Sequence, residues 1–189
     1  MRRALLAVVL TVTALAGCGP RAPADAVAPS DPALDALFAD LTAAPTLAEA
    51  AAVEQQIWQS WGQSGSATVD VLIERADAAE AAGDKALALR FVNQAVELTP
   101  SYPGGWYRRS ILLYAADDRA GAIRDIQATL KREPRHFGAL SGLGMIYEDM
   151  GQEKAALEAY RRALEIHPLL DAARQGVLRL EPKVEGQDL

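Results

Sequence analysis

The feature that most constrains this chain is the regular spacing of three prolines. Pro100, Pro134 and Pro168 are separated by equal intervals. Placing each proline at position 32 of a unit gives the units 69–102, 103–136 and 137–170. A fixed period of this length indicates that one supersecondary unit is stacked several times, each copy covering the apolar face of the next. The sequence therefore predicts a repeat architecture.

The same residue types recur at the same positions of each unit. Small residues occupy positions 8 and 20, which are Ala76, Ser110, Gly144, Ala88, Ala122 and Ala156. Positions 4 and 24 hold larger ones, which are Leu72, Trp106, Leu140, Val92, Ile126 and Tyr160. The pattern predicts two helices per unit that approach closely at the small positions, where a larger side chain would cost about 1–3 kcal/mol. The proline then ends the second helix.

The third unit carries the pattern most fully, through Leu143, Gly144, Tyr147, Gly151, Ala156, Tyr160, Ala163 and Pro168. In these positions the chain resembles the tetratricopeptide repeat family. The resemblance implies an all-α solenoid of three helix pairs that binds a protein or peptide. The second unit departs from the pattern, with Asp117 at the turn and Arg109 where an apolar residue is usual. A helical bundle with coincidental spacing is the alternative.

Residues 33–66 are predicted to form a helical hairpin that stacks on the first repeat. Asp31 and Pro32 suit a helix start, and Thr46 with Glu49 can cap a second helix. Its two tryptophans, Trp58 and Trp61, could form a ligand platform, but their helical spacing favours core packing.

After the repeats, residues 171–189 are predicted to hold a capping helix and a tail. Such arrays need a terminal helix to cover their last apolar face. We expect the apolar positions up to Leu180 to form it and Pro182 to end it.

The segment 1–17 is typical of an export signal, with two arginines before an uncharged run, Ala4 to Ala16, that is too short to span a bilayer. Leu15-Ala16-Gly17-Cys18 resembles the lipobox of bacterial lipoproteins, which implies that Cys18 is acylated and begins the mature protein. Residues 18–32 would be a tether rich in proline and alanine. Ordinary cleavage after Ala16, leaving a free thiol, is the alternative. By similarity to enterobacterial lipoproteins, Gly19 favours the outer membrane, with the domain facing the periplasm.

Charge and cysteine content exclude several classes of function. The whole chain has a formal charge of −6, and loss of the segment 1–17, with its two arginines and no acid, would make it −8. A chain this acidic has no electrostatic footprint for nucleic acid and would be repelled by anionic lipid, which leaves the acyl anchor as the membrane contact. Because Cys18 is the only cysteine, no intramolecular disulfide is possible.

No catalytic or metal-binding pattern stands out, so we predict a protein that is not an enzyme and carries no cofactor or metal. The segment Gly62-Gln63-Ser64-Gly65-Ser66 lacks the final glycine of a nucleophile elbow. His136 and His167 lie near prolines at repeat boundaries and are predicted to be surface or turn residues.

The remaining candidate site is the surface that the resemblance assigns to a concave groove, at positions 2, 5, 9 and 12 of each first helix. The predicted partner-binding residues are Asp70, Ile73, Asp77, Glu80, Tyr107, Ile111, Tyr114, Ser141, Met145 and Glu148. The set is acidic at its first end and apolar in the middle, which favours a segment with apolar anchors and a basic end. Alternatively, the large side chains pack against the N-terminal hairpin or each other.

The sequence thus predicts a non-catalytic interaction scaffold or adaptor of the bacterial cell envelope. The alternative is a structural protein that self-associates through the exposed side chains of this groove.

Overall fold

A computed structural model describes residues 31–186, and every regular element in that range is an α-helix. The helices are α1 Pro32–Ala43, α2 Leu47–Trp61, α3 Ala67–Ala81, α4 Lys85–Leu98, α5 Pro103–Ala115, α6 Arg119–Arg132, α7 Phe137–Asp149, α8 Glu153–Ile166 and α9 Asp171–Glu185. Helices α3 and α4, α5 and α6, and α7 and α8 form three pairs, which confirms the predicted solenoid. The predicted signal, Cys18 and the tether up to residue 30 lie outside the described residues, as do residues 187–189.

The small positions hold the helix pairs together. Ala88, Ala122 and Ala156 at position 20 have no exposed surface. At position 8 of the third unit, a Cβ on Gly144 would lie 2.7 Å from the ring of Tyr160. Because the two helices touch through this ring, any side chain at position 144 would push them apart.

The turn inside each unit uses the same backbone conformation, whatever the residue. Gly83 and Gly151 have φ of 82° and 70°, and Asp117 takes a φ of 65° at the equivalent place in the second unit. Asp84 and Asp118 then cap the following helices by accepting backbone N–H groups. The second unit therefore keeps the turn at the cost of a left-handed aspartate.

The unusual Arg109 of the second unit has a partner. Its guanidinium donates to both carboxylate oxygens of Asp125, with N···O distances of 2.6 and 2.9 Å, and to the Asn93 side chain at 3.2 Å. It also lies over the Trp106 ring, 4.8 Å from its centroid. The ion pair explains why this unit can fold with a charge at a normally apolar position.

The predicted end of the capping helix is wrong, because α9 continues through Pro182 to Glu185. A proline in the last turn removes one hydrogen-bond donor while its φ remains compatible with a helix, so it does not stop the helix at once. Helix α9 does lie against the last repeat, since its Gly176 packs directly on the ring of Tyr160 from α8. None of the helices between residues 31 and 186 is long and apolar enough to cross a membrane.

The N-terminal hairpin forms, but its predicted stacking on the first repeat is wrong. Asp31 and Thr46 cap its helices as expected. Its core residues instead surround Phe137, the completely buried first residue of the third unit. Arg135, which precedes that unit, pairs with Asp35 of α1 at 2.7 Å. Phe137 is a large aromatic residue at the first position of its unit, where the first and second units have Val69 and Pro103, and the hairpin core packs around it.

The concave groove as a candidate binding site

Helix α2 lies on the concave groove. This groove is the face that positions 2, 5, 9 and 12 of the three repeat units form on α3, α5 and α7. The Trp58 ring stands against Gly138, where a Cβ would lie 2.7 Å from it. The ring also packs on Tyr107, with centroids 5.6 Å apart. Glycine at position 138 is therefore what allows Trp58 to enter, and the hairpin covers the middle of the predicted site.

The second tryptophan of α2 packs on the turn before α7. The Trp61 ring stacks on His136 with centroids 4.0 Å apart and an interplanar angle of 10°, and it contacts Phe137 at 5.1 Å. Trp61 is thus buried in an aromatic cluster, as its helical spacing predicted, and the half-buried Trp58 packs against it. The sequence alone did not show that this cluster lies in the groove.

The prediction that the histidines lie at the surface is wrong, although both occupy turns. The His136 side chain is 1% exposed, and its Nδ1 accepts the Ala139 N–H at 3.1 Å as the cap of α7. Burial lowers the pKa of His136 to about 3, so the ring is neutral. His167 is equally buried, and its Nε2 lies 3.3 Å from the Glu54 carboxylate of α2. The hairpin buries both rings, which is why repeat position alone misplaced them.

Three N–H groups around α2 are buried without an acceptor among the residues described. They belong to Trp61 Nε1, His136 Nε2 and Arg108 Nε. Because His136 Nδ1 is an acceptor, the neutral ring carries its proton on Nε2. A buried donor without a partner costs about 1–3 kcal/mol, and all three residues also line a cavity of about 190 Å³ between the hairpin and the first two units.

In the first unit, two of the predicted acidic residues, Asp70 and Asp77, are engaged within the chain. Asp70 accepts both the N–H and the hydroxyl of Ser64, at 3.0 and 2.6 Å, and these hydrogen bonds, the hydroxyl's first, hold the pKa of its carboxyl below the usual value. Asp77 pairs with Arg108 of α5. Ile73 and Glu80 are half-buried.

In the second and third units, the predicted residues divide into engaged and open ones. Tyr107 is half-buried under Trp58, and burial raises the pKa of its hydroxyl. The Tyr114 hydroxyl donates to Asp149, and Glu148 accepts two hydrogen bonds from Arg179 and one from Tyr160. Ser141 is half-buried, whereas the side chains of Ile111 and Met145 are 37% and 42% exposed.

An open cleft of about 490 Å³ remains beside α2, between α7 and α9. Its walls include Trp58, Tyr107, Ser141, Met145, Leu170 and Arg179. A smaller cavity of about 190 Å³ separates the hairpin from the first and second units, next to Ile73 and Asp77. The structure thus brings Tyr107, Ser141 and Met145 to one cleft and leaves Asp70, Glu80 and Glu148 outside it. Within residues 31–186, no group of acidic, histidine or cysteine side chains could hold a metal ion.

Comparison with known proteins identifies the family. A TPR repeat-containing protein of Rhizobium etli is 35% identical over 153 residues, which cover 81% of this chain and 75% of that protein. A family profile described as tetratricopeptide repeat matches residues 107–171. This chain belongs to the tetratricopeptide repeat family. Proteins of this family commonly mediate protein–protein interactions and are generally not enzymes.

Two solved tetratricopeptide structures share the fold. The Sgt2 TPR domain from Aspergillus fumigatus superposes with a TM-score of 0.59 and 26% identity, over 65% of this chain and 83% of that domain. The first TPR domain of Spaghetti, bound to an HSP90 peptide, superposes with a TM-score of 0.59 and 18% identity, over 62% of this chain and 94% of that domain. The second likeness concerns the fold alone.

Proposed function

We propose that this tetratricopeptide protein is an envelope adaptor that binds a protein or peptide segment in the cleft between α2, α7 and α9. The observation that carries the proposal is the opening of about 490 Å³ on the face that α2 otherwise covers. A pocket of this size with mostly apolar walls and a few polar groups is typical of ligand sites. The HSP90 peptide bound to the TPR domain of Spaghetti is consistent with a peptide ligand.

The chemistry of the cleft favours a segment with an apolar anchor. Met145 is exposed beside the rings of Trp58 and Tyr107, and a methionine side chain adapts to apolar groups of different shape. We expect the attraction for a basic end to be weaker than the sequence suggested, because Asp70, Asp77 and Glu148 already have partners within the chain. We therefore expect apolar contact to dominate the affinity.

Matched substitutions test this site. In cells that make the full chain, Met145→Glu should abolish crosslinking of the partner, because it places a charge in the cleft. Met150→Glu is the control, since this side chain is 43% exposed, close to the 42% of Met145, but does not line the cleft. Equal loss of the partner in both variants, or no loss in either, would contradict the proposed site.

The envelope location is part of the same proposal and is supported by Leu15-Ala16-Gly17-Cys18. An acylated Cys18 would anchor the domain to a membrane and face it toward the periplasm. We expect Cys18→Ala to abolish acylation and to stop lipoprotein processing, which mass measurement and membrane fractionation with and without the substitution test. A soluble wild-type protein whose mass shows Gly17 as its first residue would contradict the anchor.

A further inference from the structure

The contacts of α2 resemble those of a helix bound to a receptor. The chain joins α2 to α3 through residues 62–66, yet the two tryptophan side chains of α2 pack on His136, the last residue of the second unit, and on Phe137 and Gly138 of the third. Trp58 fills the space above Gly138, and Trp61 stacks on the cap of α7. An amphipathic helix that lays its apolar side chains into a groove is a common mode of protein recognition.

The linker allows α2 to leave without disturbing the repeats. Ser64 is fixed to α3 through its two hydrogen bonds to Asp70, so the first repeat already holds the end of the linker. The two residues that remain between α2 and this fixed point are Gly62 and Gln63, and both are exposed. Release of the hairpin therefore needs backbone rotation only at these two residues, together with the loss of its contacts to Phe137, Arg135 and His167.

The docked state also buries two hydrogen-bond donors that its release would expose to water. Trp61 Nε1 and His136 Nε2 are buried at this interface with no acceptor among residues 31–186. Water would accept both hydrogen bonds if the hairpin left. Each donor that stays unpaired would oppose docking by about 1–3 kcal/mol.

We propose that α2 is a displaceable internal ligand, and that the partner of this groove is an amphipathic helix with two aromatic residues three positions apart. Trp58 and Trp61 define that spacing. The inference rests on the proposed function and deepens it, because the partner would use the open cleft first and then replace α2 on the surface beside it.

A peptide of residues 31–64 with a fluorescent label tests the proposal by anisotropy against full-length chains. In wild type the peptide must displace the hairpin, whereas in the Trp58→Ala/Trp61→Ala chain the repeat residues of the groove are unchanged and the internal competitor is weakened. We expect the double variant to bind the peptide at least tenfold more tightly than wild type. Gln59→Ala, an exposed change on α2, should bind as wild type does.

Two controls confine the binding to the groove. Adding Gly138→Leu to the double variant should abolish binding, because even a Cβ at position 138 meets the space of the Trp58 ring. A peptide in which both tryptophans are alanine should not bind. If the double variant loses its helical circular dichroism, Asp35→Ala takes its place, since it removes the ion pair to Arg135 from the hairpin side and leaves the groove and the labelled peptide unchanged.

Equal affinity for wild type and the weakened-hairpin chain would overturn the proposal, as would binding that survives Gly138→Leu. The outcome is separable from that of the proposed function. If the peptide does not bind but Met145→Glu still abolishes crosslinking of the partner, only the internal-ligand proposal is rejected. If the peptide binds but Met145→Glu leaves crosslinking of the partner unchanged, the proposed adaptor site is rejected instead.

Discussion

The buried pair between Arg109 and Asp125 allows a sharp test of the repeat register. Asp125 is 4% exposed, and its two carboxylate oxygens both accept hydrogen bonds from Arg109. Their equivalents in the third unit are Leu143 and Ala159, which pack in one apolar cluster. The second unit thus holds an ion pair where its neighbour has two apolar residues in contact.

We expect Arg109→Leu to destabilise the protein by about 3–5 kcal/mol, because it leaves the buried Asp125 carboxylate without its cation. For a chain of this size, about 2–4 °C of melting temperature corresponds to 1 kcal/mol, so the loss should be roughly 6–20 °C. The contact with Trp106 contributes little to this loss, since Arg132 also lies over that ring at 4.7 Å.

Adding Asp125→Ala to Arg109→Leu should restore the stability to within about 1 kcal/mol of wild type, because well-packed apolar residues often replace a buried pair at no cost. The double variant reproduces the Leu143 and Ala159 arrangement of the third unit. Urea unfolding followed by circular dichroism measures both free energies. A double variant as unstable as Arg109→Leu would refute the equivalence of the two units.

Three further predictions concern single residues. Gly144→Leu should cost about 1–3 kcal/mol because its side chain would meet the Tyr160 ring, whereas Ser141→Ala should change the melting temperature little; equal melting temperatures would contradict the register. Asp117→Gly should raise the free energy of unfolding by about 0.5–1 kcal/mol, because glycine takes a φ of 65° without strain; a loss in urea titrations would contradict this. His136 has a folded pKa of about 3 and an unfolded value near 6.5, so its stabilising contribution is complete above pH 6.5 and is lost as the pH falls. Between pH 7 and pH 5 wild type should lose about 2 kcal/mol more than His136→Asn, which keeps a capping side chain but does not titrate; parallel pH profiles would show that the ring is accessible.

The sequence was sufficient for features that depend on local spacing. The period of the prolines predicted the three helix pairs, and small residues at positions 8 and 20 predicted their close contacts. Helix starts at Asp31 and Thr46 followed from side chains that cap neighbouring N–H groups. Each of these signals involves residues within one unit, where the chain itself fixes what lies nearby.

The position of the hairpin could not be predicted, because it depends on residues far apart in the chain. Asp35 and Arg135 are 100 residues apart, and their pairing has no signature in either segment. The burial of His136 follows from the same contact, since Trp61 covers it. Phe137 at the first position of the third unit was the available hint, because the resemblance gave no reason for a large aromatic residue there.

The central claim is that α2 lies in the concave groove, and a nuclear Overhauser measurement on the full chain tests it most directly. The Trp58 ring stands where a Cβ of Gly138 would be 2.7 Å away, so its protons should show strong cross-peaks to the α-protons of Gly138. We also expect cross-peaks from the Trp61 ring to His136. Cross-peaks from both tryptophans to α3 in place of these would place the hairpin on the first repeat and contradict the account.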